Sequence, residues 1–238
     1  MKIAGRMEIV ADGEALSARA AELIADRIRD CTGPFRLALS GGRTPRGCYQ
    51  YLARLHQVPW DWVEIYLGDE RFVPPDHPDS NYRMIRETLL ASGSVSPRGM
   101  FAVPIDGDVE SAAQAYEEIL RQQYGSSRLL PDLPLFDLQL LGLGEDGHTA
   151  SLLPDQPVLE ERERWVAVVP EGRREPRITL TYPALESSRL MLFLVSGAAK
   201  KEALARARAG DVTIPAGRLK PQGEVVWLVD RAAAGIAP

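Results

Sequence analysis

From one end to the other the chain alternates between short apolar runs of strand length and longer stretches with apolar residues at helical spacing. Few folds are open to such a pattern. Strands separated by helices pack as an α/β protein with a largely parallel sheet covered on both faces. Residues 12–29 set the first helix, with Asp12 as N-cap and Leu16, Ala20, Leu23, Ile24 and Ile28 on one face. Runs at 35–39, 62–67, 135–143, 165–169, 178–181, 189–195 and 225–229 read as strands. Stretches at 45–55, 81–90, 109–124 and 200–208 read as helices, Pro45 suiting a first helical turn. The runs at 138–141 and 190–195 are nearly continuous and apolar, as in strands buried on both faces. The best candidate break, Pro170 to Pro176, is short, so a single domain over residues 1–238 is expected.

A chain of 238 residues buries roughly 70–75% of its unfolded surface, enough for a core without disulfides or structural metal. Its two cysteines, Cys31 and Cys48, form no C-x-x-C and no zinc spacing. The formal charge of −5 argues against a non-specific nucleic-acid binder, which needs a strong basic field. Of 28 basic residues only four are lysines, at 2, 200, 201 and 220. Residues 1–10 lack the apolar run of a signal peptide, and no run approaches the ~20 residues of a membrane span. A cytoplasmic protein without membrane partners is therefore expected.

In open α/β sheets ligands collect beyond the carboxyl ends of the strands, and four polar segments follow strands here. Ser40-Gly41-Gly42-Arg43-Thr44 joins a strand to a helix. Its glycines let the backbone approach a ligand, and the helix start offers free N–H groups to an anion. It does not match the Walker pattern. Gly68-Asp69-Glu70-Arg71 puts two carboxylates and a guanidinium at a strand end, a surface ion cluster or an acid/base and anion-contact group. Gly142, Gly144 and Gly147 spell G-x-G-x-x-G, a weak dinucleotide signal because Pro154 leaves little room for the helix that motif opens. The same segment carries His148 with Asp146 two residues away, a carboxylate able to fix the imidazole tautomer. His is the natural base at neutral pH, and no third ligand stands at metal spacing. Ser196 to Lys200 places a lysine at a helix start, a phosphate contact or a solvated terminus. Together these residues indicate a pocket for a phosphorylated small molecule, with His148 as base.

The order of these blocks goes further. Leu39-Ser-Gly-Gly-Arg-Thr-Pro45, Gly68-Asp-Glu-Arg-Phe-Val-Pro74, Asp79-Ser-Asn-Tyr82, Gly142-Leu-Gly-Glu-Asp-Gly-His-Thr-Ala-Ser-Leu152, Arg177-Ile-Thr-Leu180 and Gly197-Ala-Ala-Lys200 resemble, in sequence order, the 6-phosphogluconolactonase family. The resemblance runs from about residue 8 to residue 230. It implies a Rossmann-like α/β/α sandwich with a mainly parallel sheet, the fold group of glucosamine-6-phosphate deaminases, ribose-5-phosphate isomerases and coenzyme A transferases. It implies hydrolysis of 6-phospho-D-glucono-1,5-lactone, a phosphosugar lactone of the oxidative pentose phosphate pathway, with no metal and no organic cofactor. His148 would be the general base, Asp146 would hold the imidazole or the water, and Arg71 or backbone N–H groups of a Gly-rich loop would stabilise the oxyanion. Ser40, Gly41, Gly42, Arg43, Thr44, Lys200 and Arg177 would hold the phosphate. Asp69 and Asn81 match family positions that touch substrate or shape the loop. Deaminases of the related branch carry a glutamate five residues after this histidine, where this chain has Leu153; that difference favours the lactonase. A monomer or small homo-oligomer is expected.

Overall fold

The computed structural model describes residue 3 and residues 5–91, 93–171 and 173–236. The chain enters as β1 (Arg6–Val10) and α1 (Gly13–Arg29), then β2 (Phe35–Leu39) and α2 (Arg43–Leu52). β3 (Val63–Leu67) passes through Gly68 into the three-residue β4 (Asp69–Arg71). α3 (Asn81–Ile85) continues as a wider helical turn over Arg86–Leu90. β5 (Gly99–Phe101) and α4 (Val109–Tyr124) lead to β6 (Phe136–Gly142), followed by β7 (Val166–Val169) and β8 (Arg177–Leu180). After them come α5 (Tyr182–Glu186), β9 (Ser188–Val195), α6 (Lys201–Ala209) and β10 (Glu224–Asp230).

Seven strands form a sheet in the order β1-β10-β9-β6-β2-β3-β5, every neighbouring pair parallel. From β2 the chain travels outward through β3 and β5, then returns to β6 on the other side of β2 and travels outward again through β9 and β10. The carboxyl ends of β2 and β6 therefore flank a topological switch point, where open α/β sheets bind ligands. Strands buried on both faces carry the core: every residue of β3 is buried, and so is all of β9 except Arg189. The helices form by local signals. Asp12 accepts from Glu14 N and Ala15 N at the start of α1, and Asp108 accepts from Ser111 N at the start of α4. Left-handed Gly125 and Gly210 close α4 and α6.

Two expected strands lie outside the parallel sheet. β7 and β8 pair antiparallel with each other, and β8 pairs antiparallel with β4, as a second, three-stranded sheet. A parallel crossover needs about 10–12 residues or more, so the short 170–176 segment can only close a hairpin; the candidate domain break is that hairpin's turn. β1, β4, β5 and α5 were not expected. β4 and β5 have three residues each, too few for periodicity to register, and β1 is a sheet edge of mixed burial. α2 also begins earlier than expected, at Arg43, with Pro45 in its first turn.

Candidate active site

A cavity of about 580 Å³ opens beyond the carboxyl ends of β2, β3, β6 and β9. It is lined by Ser40, Gly41, Gly42, Arg43 and Thr44, by Asp69, Arg71 and Asn81, and by His148, Arg177 and Lys200. Every expected site residue except Asp146 thus reaches one cavity. Asp146 stands behind His148. His56 and His77 do not line it.

The first wall is the turn from β2 into α2. Tyr49, fully buried, fixes the turn's entry: its hydroxyl accepts from Ser40 N at 3.1 Å and donates to Ser40 O at 2.7 Å. Tyr116 secures the neighbouring strand end in the same way through Leu67 N and O, both at 2.8 Å. Gly42 takes a φ of 113°, open to glycine, and leaves the start of α2 without a side-chain cap. A Cβ on Gly41 would lie 1.9 Å from Asn81 Oδ1, so only glycine lets the 79–82 loop close against this turn. Ser40 Oγ is buried and has no hydrogen-bond partner among the described residues. A buried hydroxyl in that condition on a cavity wall is a place for a ligand acceptor.

β4 and the loop after it make the second wall. Glu70, 2% exposed, is the organiser: its carboxylate accepts from Arg71 N, Asn81 N and Tyr82 N, each at 2.8 Å, and from Ser80 Oγ at 3.1 Å. Burial pushes its pKa up against those backbone donors, and burial prevails. Arg71 Nη1 donates to Asp79 O at 2.7 Å and to Asn81 Oδ1 at 2.9 Å, while its buried Nε has no partner among the described residues. Asn81 Nδ2 donates to Asp69 O at 2.8 Å. Asn81 therefore shapes this wall, its amide committed on both sides to protein. Asp69, 7% exposed, accepts from Ser151 Oγ at 2.5 Å and stands 3.9 Å from Arg177 Nη1. Burial lowers the Arg177 pKa, and the Asp69 charge opposes that.

The Gly-rich segment after β6 carries the chemistry. Gly144 N donates to His148 O at 2.8 Å, which folds the segment into a tight loop. Asp146 Oδ1 accepts from His148 N at 3.2 Å and lies 2.5 Å from Nδ1. Its Oδ2 accepts from Arg173 Nη2 at 2.8 Å. Partial burial pushes the Asp146 carboxyl up, but the His148 hydrogen bonds and the Arg173 charge outweigh it, and its pKa lies below the ordinary value. Of the glycines spelling G-x-G-x-x-G, Gly142 ends β6, and Gly144 and Gly147 serve this loop. Gly144 admits the imidazole against its backbone, and left-handed Gly147 packs on Ile214. Beyond His148 the chain makes a bridge between Thr149 and Leu152 and then a short 3-10 turn, not a helix. Lys200 completes the rim, its Nζ 3.8 Å from Glu145.

Three contributors were missed. Ser151 lies inside the block singled out around His148, but its partner Asp69 is 82 residues away. Thr179 accepts from Ser151 N at 3.1 Å, and Arg173 reaches Asp146 from the β7–β8 turn. Ser151 and Thr179 lie inside blocks that carry the resemblance, but nothing local pairs them, and no local pattern marks Arg173. Among the described residues no group of three His, Cys, Asp or Glu side chains could hold a metal ion.

Residues 11–227 match the family described as glucosamine-6-phosphate isomerases/6-phosphogluconolactonase. A 6-phosphogluconolactonase of Nostoc sp. is 39% identical over 95% of this chain and 96% of its own. The structure of 6-phosphogluconolactonase from Trypanosoma cruzi superposes with a TM-score of 0.86 at 27% identity, over 99% of this chain and 97% of that one. A monomeric glucosamine-6-phosphate deaminase of the same superfamily superposes at 0.79 with 25% identity, over 98% and 100% of the two chains. The chain belongs to the glucosamine-6-phosphate isomerase/6-phosphogluconolactonase family.

Proposed function

We propose that this chain, acting as one catalytic domain, hydrolyses 6-phospho-D-glucono-1,5-lactone to 6-phospho-D-gluconate. The observation that carries the proposal is a carboxylate-oriented imidazole and an uncapped helix start on the walls of one cavity. Full-length relatives bearing that activity in their names support it.

The lactone carbonyl is already electrophilic, so the reaction needs an activated water and a place for negative charge. Asp146 holds Nδ1–H of His148, which leaves Nε2 as the basic nitrogen. A water O–H bond breaks as its proton passes to Nε2 and its oxygen bonds to C1. The tetrahedral intermediate collapses with cleavage of the bond from C1 to the ring oxygen, and His148 returns the proton to that oxygen. The new carboxylic acid then ionises and releases one proton. General-base action of this kind contributes ~10²–10⁴-fold. The Arg71 guanidinium, whose buried Nε bonds to none of the described residues, stabilises the oxyanion. The phosphate sits at the 40–44 turn, where Ser40 Oγ, Thr44 and the N–H groups opening α2 meet Arg43, with Lys200 and Arg177 adding charge. Asp69 is the acceptor for sugar hydroxyls, and Asn81 positions both Asp69 and Arg71.

The deaminase alternative lacks a group. The residue five positions after His148 is Leu153, 5% exposed in the core, and no carboxylate stands there for a ring-opening relay.

The test generates the lactone in place from glucose 6-phosphate and follows acid release by wild type and His148→Ala against an enzyme-free blank. The expected result is a wild-type rate well above the blank that falls at least ~10²-fold in the variant. Folded wild type without acceleration would overturn the proposal, and ammonia release from glucosamine 6-phosphate would be measured next.

A further inference from the structure

Arg173 is placed where an ordinary surface arginine would not be. It sits in the β7–β8 turn, 25 residues from His148 in sequence, yet its Nη2 donates to Asp146 Oδ2 at 2.8 Å and lies 3.5 Å from His148 Nδ1. Its backbone has a φ of 80°, a left-handed conformation that glycine adopts freely and arginine does not. Side chains held in that region against their preference cluster where their position serves a site. For stability the contact has little to offer: the arginine side chain is 56% exposed, and exposed ion pairs contribute marginally.

We propose that Arg173 is a positioning residue of the Asp146–His148 pair, holding one carboxylate oxygen so that the other faces Nδ1 and biasing the imidazole toward its neutral, basic form. Asp146 alone would favour the imidazolium, which cannot take a proton from water. A permanent cation that shares the same carboxylate offsets that bias. The assignment of His148 as base is the one proposed above, and this inference rests on it. The other charges at this end of the cavity are Glu145, paired with Lys200, on the same rim, and Asp69, Arg71 and Arg177 on the opposing β4 and β8 strands. Arg173 contacts both the Asp146 carboxylate and the ring.

The test compares wild type with Arg173→Gln, Arg173→Lys and Arg173→Gly. The His148 midpoint is read from the imidazole proton resonances, assigned by their loss in His148→Ala, and kcat/KM is measured against pH. In Arg173→Gln the His148 midpoint should rise by about 0.5–1 pH unit, the size of one screened charge at that distance. The acidic limb of kcat/KM should move up with it. Arg173→Lys should restore most of the wild-type midpoint. Arg173→Gly should show the same rise with an undiminished melting temperature, because glycine relieves the left-handed backbone. A midpoint in Arg173→Gln and Arg173→Gly that is unchanged or lower would overturn the proposal. The resonance titration does not depend on turnover, so a failure of the lactonase assay and a failure of this inference are read separately.

Discussion

Gly144 shows how much of this site hangs on a missing side chain. A Cβ there would lie 2.0 Å from His148 Nδ1 and 2.4 Å from Asp146 Oδ1, distances at which the ring and carboxylate must separate. Gly144→Ala is therefore expected to fold and to lose ~10²-fold or more in turnover, approaching His148→Ala. Circular dichroism together with the lactonase rate checks it; a fully active Gly144→Ala would mean that the pair tolerates displacement. Ser40 predicts the converse separation. Its Oγ bonds to none of the described residues, so Ser40→Ala should leave the melting temperature almost unchanged. Loss of one hydrogen bond to a charged group, about 1.5 kcal/mol, should raise KM for the phosphorylated lactone about tenfold. Both residues stood out in the sequence as members of Gly-rich loops after strands. That Gly144 serves a histidine and not a dinucleotide was legible only through His148 and the Pro154 that forbids a helix.

Among the elements, the approach to β7 is held by Glu161, which accepts from Glu163 N at 2.8 Å, Arg164 N at 3.1 Å and Arg164 Nε at 2.9 Å. Partial burial raises its pKa, but those donors lower it more, from 4.5 to about 2. A carboxylate depressed in the folded state stabilises the protein above its unfolded value and ceases to do so as pH falls through the folded one. Wild type should therefore exceed Glu161→Gln in melting temperature at neutral pH, and the gap should close between pH 4.5 and about 2. A gap that stayed constant over that range would show that the turn does not depend on the charge. This element also marks a limit of pattern reading. The strands at 165–169 and 178–181 were visible as apolar runs, but β4, which pairs with the second of them, is three residues long and carries Asp69, Glu70 and Arg71. No hydrophobic period announces a strand made of site residues.

At the scale of the whole molecule, the switch point between β2 and β6 gathers segments spread from residue 13 to residue 200 around one cavity. A ligand bound there stabilises the folded state alone. Saturation with 6-phosphogluconate at ~100 times its Kd should contribute about 2.7 kcal/mol and raise the melting temperature by roughly 5–10 °C. Nicotinamide dinucleotides at the same concentration should leave it unchanged. A shift with the dinucleotide and none with the phosphosugar would reassign the cavity. Among the described residues no helix is long and apolar enough to cross a membrane.

By itself the sequence determined the α/β class, the strands buried on both faces, and the loops that follow strands with Gly, His and Asp in them. Those are local matters of periodicity and of which residues a tight turn admits. It placed Asp146 beside His148 because the two lie in one loop, and it marked Ser40 to Thr44 because a strand-to-helix turn with two glycines is a local anion cradle. The tertiary structure decided which loops share a cavity, since strand order is set by how helices cover the sheet and not by any one segment. It paired Ser151 with Asp69 and brought Asn81 against Gly41. It also swung Arg173 onto Asp146 through a hairpin that pairs with β4 instead of joining the main sheet. Each of those contacts joins residues 25 or more positions apart, and contacts at that separation exist only once the chain has folded.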